Sequence, residues 1–277
     1  MLDVNFKNNN VYINGIADFD LPHTLDCGQA FRWEEKENGI WCGVAFNKYL
    51  ELEKQNDGTI ILYNTSEDDY NNIWKDYFDL ERDYGLIVNA ISSNEILKTA
   101  SEYGSGIRVL NQEPWETLCS FIISQNNNIK RIKGIISRLC ENFGENKNHY
   151  YTFPSAEKIA KLSLDDLAVL RSGFRAKYIL DGAQKVSSGE IDLNSLKNLP
   201  VDDARKELMK IKGVGPKVAD CALLFSHKHI EAFPKDVWIK RAMEQLFDGE
   251  LPQEAIPYAG IVQQYIFFYA RETKLDI

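Results

Sequence analysis

The stretch from Leu208 to Arg241, LMKIKGVGPKVADCALLFSHKHIEAFPKDVWIKR, constrains this chain more than any other. Leu208 and Ile211 close an amphipathic run that begins near Pro200, and Gly213 with Gly215 then supplies the permissive backbone that a sharp helix-to-helix turn needs. Pro216 suits the first turn of the next helix, because its missing N–H would have no intrahelical partner there. Lys217 therefore stands at a helix start. The backbone N–H groups of Gly213, Val214 and Gly215 are expected to face outward beside the positive end of a helix dipole, a site for a phosphate oxygen. Nineteen residues beyond Lys217 (236 − 217), Asp236 precedes Val237, Trp238 and Ile239 as the N-cap of a further helix. The turn alone implies only phosphate binding, with Lys217 as one more basic contact. Lys217 together with an ionised Asp236 implies more: an amine nucleophile and a carboxylate that stabilises positive charge developing on a sugar.

A net charge of −9 argues against a nucleic-acid partner until it is divided along the chain. Residues 1–100 hold 8 Lys+Arg against 18 Asp+Glu, a net of −10, and the remaining 177 hold 24 against 23, a net of +1. Between Ser120 and Lys185 the balance is 11 basic to 6 acidic, so a local basic surface is available to neutralise phosphates. The five cysteines, Cys27, Cys42, Cys119, Cys140 and Cys221, form no C-x-x-C pair and no tight framework. Neither a zinc site nor a disulfide scaffold is indicated, no metal or cofactor is called for, and a reduced intracellular setting is expected. The opening MLDVNFKNNN lacks the apolar core of a signal peptide, and no apolar stretch is long enough to cross a bilayer. A soluble monomer without a membrane partner is expected.

In chain order, Val11 to Ala17, Phe31 to Trp33, Gly39 to Phe46, Tyr49 to Glu53 and Thr59 to Tyr63 read as short strands, with Asp57-Gly58 a hairpin turn. Gly28 stands at the entrance of one of them, where a loop glycine is ordinary. From about Ser66 the pattern is helical, with Tyr70 to Phe78 bridging and Gly85 to Glu102 forming one long helix. Trp115, Leu118, Phe121 and Ile122 precede the triplet Asn126-Asn127-Asn128, and Ile129, Ile132, Ile135 and Ile136 follow it, so two amphipathic helices flank a polar turn. Leu164 to Leu170 forms a helix, Ser172-Gly173 a break, and Phe174-Arg175 the start of another. A final helix over Tyr258 to Glu272 carries Gln263 and Phe267, four apart on one face. The fold class expected is α+β: an N-terminal antiparallel β-sheet domain over residues 1–85, packed on a mostly α-helical domain over residues 86–277 with its hairpin at about 208–225.

Ile211 to Cys221, IKGVGPKVADC, followed by Pro234-Lys235-Asp236-Val237, resembles the helix-hairpin-helix, Gly/Pro-rich loop and aspartate signature of DNA base-excision glycosylases. The KVADC continuation is similar to the 8-oxoguanine DNA glycosylase/lyase branch of that superfamily. The resemblance runs from Gly28 to Phe267. It implies that damaged double-stranded DNA is the partner, that Lys217 and Asp236 are catalytic, and that removal of 8-oxoguanine is followed by β-elimination of the strand. Leu25 to Trp33, LDCGQAFRW, resembles the segment in which a glycine carbonyl meets the N7 proton that 8-oxoguanine has and guanine lacks, which would make Gly28 the discriminating residue and lead an alanine there to displace or crowd its carbonyl edge. By the same resemblance Gln263 reads the purine's Watson–Crick edge, while Phe267 and Cys221 cover its two faces.

SFIISQNNNIKRI is similar to the family segment that fills the gap left by an extruded base, so Asn126 and Arg131 would hold the estranged cytosine. Phe174 matches the aromatic wedge, where the family often carries Tyr, and Arg175 would reach the estranged base; the departure removes a hydroxyl but no stacking surface. Absence of a terminal four-cysteine cluster disfavours the iron–sulfur subgroup. Two competing readings are a non-catalytic helix-hairpin-helix DNA-binding module, which leaves Lys217 with Asp236 unexplained, and a sibling glycosylase for alkylated or mispaired bases, which typically lacks a lysine at the Lys217 position. The resemblance places the protein in nucleoid-bearing cytoplasm if prokaryotic and in the nucleus if eukaryotic.

Overall fold

The structure, a computed structural model, describes residues 2–273. The elements run in order β1 (Asp3–Lys7), β2 (Asn10–Asn14), α1 (Leu21–Leu25), β3 (Trp33–Glu35), β4 (Trp41–Ala45), β5 (Lys48–Lys54), β6 (Ile60–Tyr63), α2 (Glu67–Asp69), α3 (Lys75–Tyr77), α4 (Tyr84–Ile91) and α5 (Glu95–Tyr103). They continue with α6 (Pro114–Ser124), α7 (Ile129–Phe143), α8 (Ala156–Ala160), α9 (Arg175–Ser187), α10 (Val201–Leu208), α11 (Pro216–Ser226), α12 (Val237–Phe247) and α13 (Ala259–Glu272). The chain clusters into two compact units. Unit 1 comprises residues 1–43, 50–111 and 230–277; unit 2 comprises 44–49 and 112–229.

Unit 1 holds the antiparallel sheet, in strand order β1-β2-β6-β5-β4-β3, and is α+β as expected. The edge strand β1 is mostly exposed, which is why hydrophobic alternation does not announce it. It turns into β2 through Asn8 and Asn9, both with positive φ (52° and 60°), the backbone that a two-residue hairpin with right-handed strand twist requires and that asparagine tolerates. Asp57 accepts a hydrogen bond from the Thr59 amide at 2.9 Å, so the expected turn at Asp57-Gly58 is present. The core beside the sheet is aromatic: Trp33, Trp74, Tyr77 and Phe78 pack ring to ring, and the Trp33 indole N–H donates to the Tyr77 hydroxyl at 2.7 Å. That bond satisfies the two polar atoms such rings would otherwise bury unpaired.

One expectation is corrected in this unit. The single helix over Gly85 to Glu102 is two, α4 and α5, because the Asn94 side chain accepts from the amides of Ile96 and Leu97, both at 3.1 Å, and so starts a new helix. The compact units follow another partition than the expected domains: α4 and α5 cluster with the sheet, and so do α12 and α13. The cause is packing at long sequence separation, since α13 lies against α5 and α12, and periodicity carries no signal of that.

Unit 2 is mostly helical. Glu113 starts α6 by accepting from the amides of Trp115 and Glu116 at 3.1 and 2.6 Å, with Pro114 at the first helical position. Helix α7 buries Ile132, Ile135, Ile136 and Leu139 on one face, as its spacing predicts. The segment before Arg171 is a 3-10 turn over Asp166–Leu170 rather than an α-helix, and it ends in a left-handed Arg171 (φ 52°). Arg205 in α10 bonds Asp220 in α11 at 2.6 Å, tying together the two helices that flank the glycine turn. Among the described residues no helix is long and apolar enough to cross a membrane.

The Asn94 cap gives a direct check on the α4–α5 break. Asn94→Ala is expected to destabilise the protein by about 1 kcal/mol, read as a lower denaturant midpoint with an unchanged slope.

Candidate functional site

The candidate residues fall into two sets, one in each unit. Unit 2 carries the glycine turn with Lys217, together with Cys221, Asn126, Arg131, Phe174 and Arg175; unit 1 carries Gly28, Asp236, Gln263 and Phe267.

The turn between α10 and α11 has the expected form. Gly213 adopts φ +78°, and a Cβ on it would overlap the ring of Tyr178, so the position demands glycine both for its backbone and for the close approach of that ring. The Val214 amide donates to Ile211 O at 3.0 Å, which corrects the expectation that all three turn amides are available. Among the described residues the amides of Gly213 and Gly215 have no intramolecular acceptor, and they remain for a phosphate oxygen. Asp181 in α9 holds the start of the turn through the Lys212 amide at 2.8 Å.

Gly215 is the N-cap of α11 and Pro216 its first residue, which puts Lys217 in the first turn. Its ammonium lies 5.3 Å from the centroid of Phe121, and Phe121 stacks on Phe225 at 5.3 Å. Among the described residues this ammonium has no carboxylate partner, so the aromatic face holds it without an ion pair blocking its nitrogen. Cys221 follows four residues later on the same helix face and is buried.

The asparagine triplet divides by role. Asn127 donates to Ile123 O at 3.0 Å, closing α6, and Asn128 accepts from the Arg131 amide at 2.9 Å, opening α7. Capping therefore accounts for two of the three. Asn126 has φ +46°, is exposed, and its side chain has no partner among the described residues. A strained, outward asparagine that does no local work is a candidate for contact with a ligand.

Arg175 departs from expectation. It is 2% exposed, and its guanidinium donates to Gln125 O at 2.9 Å, to Asn126 O at 2.8 Å and to Ser172 O at 3.2 Å, so it does not extend outward toward a base. The rigid fork of N–H donors that a guanidinium brings to carbonyls makes it a strut for the turn that presents Asn126. Burial, and secondarily the neighbouring charge of Arg131, lowers its pKa from the usual guanidinium range. Phe174 sits over that guanidinium at 4.5 Å and against Tyr178 at 5.8 Å, yet remains 48% exposed. This is a propped aromatic edge, as a wedge needs. Arg131 is exposed, with one bond at 3.4 Å to Arg171 O.

In unit 1, Asp236 is the N-cap of α12, its carboxylate accepting from the Ile239 amide at 2.7 Å, as its sequence position predicts. Gly28 has φ +89°, and a Cβ there would meet nothing within 4 Å. An alanine at this position would carry backbone strain, which would displace the carbonyl. Its neighbours are fixed: Gln29 donates to Thr24 O and Arg108 O at 2.9 and 2.8 Å and accepts from the Leu110 amide at 2.9 Å. In α13, Gln263 is buried and Phe267, one turn on, is half-buried. The adjacent Gln264 and Cys27 escape sequence reasoning, because buried polar partners leave no periodic signal.

Residues 11–118 match the model of the 8-oxoguanine DNA glycosylase N-terminal domain, and residues 119–254 match that of the HhH-GPD superfamily of base excision DNA repair proteins. An N-glycosylase/DNA lyase of Saccharomyces cerevisiae is 32% identical over 81% of this chain and 67% of its own. A Clostridium acetobutylicum 8-oxoguanine glycosylase/lyase, solved with double-stranded DNA containing cytosine opposite 8-oxoguanine, superposes with a TM-score of 0.91, at 39% identity and 99% coverage of both chains. The structure of MBOgg1 with a low-affinity DNA ligand gives 0.93 at 45% identity, again covering 99% of both.

The turn geometry generates a prediction for DNA binding. Gly213→Ala should displace Tyr178 and strain the turn, lowering affinity for duplex DNA by about tenfold or more at fixed salt in a fluorescence anisotropy titration.

Proposed function

This chain belongs to the 8-oxoguanine DNA glycosylase family of helix-hairpin-helix base-excision repair proteins, and from that premise we propose that it removes 8-oxoguanine from duplex DNA and then cuts the strand. The observation that carries the chemistry is Lys217 in the first turn of α11, its ammonium over Phe121 and directly after amides suited to a phosphate. Once deprotonated, that amine attacks C1′ of the everted nucleotide as the C1′–N9 bond breaks and the base leaves with the bonding pair. Loss of a proton from nitrogen and opening of the sugar ring at O4′ give a protonated Schiff base. That iminium acidifies the C2′ hydrogens, and removal of one expels the 3′ phosphate.

Asp236 supplies the negative charge that offsets oxocarbenium-like charge on the sugar, while its cap bond to Ile239 fixes its carboxylate. Asn126 and Arg131 pair with the estranged cytosine, whose O2 and N3 accept from such donors; a purine opposite would leave them unmatched. Arg175 supports that contact through the Gln125–Asn126 backbone, and Phe174 fills the stack. Gly28, Gln263, Phe267 and Cys221 receive the lesion base. The protein works where the chromosome lies, in the nucleoid-bearing cytoplasm of a prokaryote or the nucleus of a eukaryote. A sibling glycosylase acting on alkylated bases has no use for an amine so placed, and a passive binding module leaves Lys217 together with Asp236 unexplained.

Two substitutions test this. Lys217→Gln should retain binding to an 8-oxoguanine duplex and abolish the borohydride-trapped protein–DNA adduct; a surviving adduct would assign the amine elsewhere. Asp236→Asn keeps a competent helix cap but removes the charge, so thermal stability should hold while single-turnover excision slows on the order of 100-fold. Unchanged excision would remove Asp236 from the mechanism.

A further inference from the structure

Three buried side chains of unit 1 form one hydrogen-bonded line. Cys27, Gln264 and Gln263 are 2%, 5% and 5% exposed. The Cys27 thiol donates to Gln264 Oε1 at 3.5 Å, and Gln264 Nε2 donates to Gln263 Oε1 at 2.6 Å. Burial pushes the Cys27 thiol up to about 11, against the opposing pull of hydrogen bonds from Gln29, so it stays a donor near neutral pH. The single S–H proton is shared with Thr24 O, also at 3.5 Å.

A primary amide is a side chain whose donor and acceptor exchange places on a half-turn while its shape barely changes. That matters for a base reader. A 6-oxopurine presents an O6 acceptor beside an N1–H donor, and a 6-aminopurine presents an N6–H donor beside an N1 acceptor. One glutamine pairs with either edge, but in opposite orientations. With Gln264 donating to it, Gln263 Oε1 is kept on the Gln264 side, and the reverse orientation would set two N–H groups against each other in a buried place.

We propose that Gln264, oriented by Cys27, is a positioning residue that locks the Gln263 amide in one orientation and thereby sets the reader for the 6-oxopurine edge. The proposal rests on Gln263 reading the Watson–Crick edge of the lesion base. Gly28 and Gln263 then divide the task. The first responds to the N7 proton, and the second, through Gln264, to the substituent at C6.

8-Oxoguanine and 8-oxoadenine share the C8 oxygen and the N7 proton and differ at the Watson–Crick edge, so their ratio of single-turnover excision rates opposite cytosine isolates this lock. Gln264→Met, which keeps length and removes the donor, should lower the preference for 8-oxoguanine about tenfold. Cys27→Ala should lower it several-fold, and Cys27→Ser, which restores a donor, should return it to within about twofold of the wild type. A merely structural role would slow both substrates alike and leave the ratio fixed. An unchanged ratio in folded Gln264→Met overturns the proposal; should that variant fail to fold by its thermal melt, an unchanged ratio in Cys27→Ala does so. Gln263→Ala separates the two levels: wild-type excision of 8-oxoguanine there removes the base-reading role itself, whereas slowed excision with an unchanged Gln264→Met ratio removes only the positioning role.

Discussion

The left-handed Gly213, with the ring of Tyr178 where a side chain would otherwise project, is the constraint on which unit 2 turns. It sets the direction in which α11 leaves the turn and so the placement of Lys217. Tyr178 also abuts Phe174, Phe174 rests on the Arg175 guanidinium, and that guanidinium holds the carbonyls of Gln125 and Asn126. The glycine turn, the exposed ring of Phe174 and the exposed Asn126 are therefore successive links in one packed series. Close-packed interiors transmit displacement, so a change at any link is felt by the others. A guanidinium suits the end of such a series, since it stacks under a ring and donates in its plane at the same time.

Charge follows the same partition. Unit 2 holds 19 Lys+Arg and 14 Asp+Glu, a net of +5, whereas unit 1 holds 13 and 27, a net of −14. An overall charge of −9 is thus the sum of one unit suited to a polyanion and one that repels it. Non-specific attraction to the phosphate backbone would come from unit 2, and it is screened by salt because most of its cations are exposed.

What could be read from the sequence was what local chemistry dictates. Pro216 at a helix start, Asp236 as a cap and the Asp57-Gly58 turn each depend on a few adjacent residues, and each is present. The return of α13 to the sheet-bearing unit depends on contacts across more than 150 residues and left no local trace. Asn94 was legible in kind, being a capping residue type, yet the apolar spacing on either side of it reads as continuous. The site shows the same limit. Identity of side chain marked Asn126 and Arg175 together, but only coordinates show that one is free to meet a ligand while the other is consumed in holding it up.

The proposed reader at Gly28 poses a problem that its neighbours answer. Discrimination by a carbonyl requires that the carbonyl not turn away when guanine presents a lone pair at N7 in place of a proton, yet glycine is the residue whose backbone turns most easily. Cys27 and Gln29 flank it, are 2% and 1% exposed, and are anchored to Thr24, Arg108, Leu110 and Gln264. The freedom of glycine is thereby used to reach φ +89° and then removed by the residues on either side. A carbonyl so held would meet guanine with an unrelieved lone-pair repulsion and 8-oxoguanine with a hydrogen bond. The difference of a few kcal/mol between a buried group satisfied and one opposed is the scale needed to reject a base that differs by one proton and one oxygen.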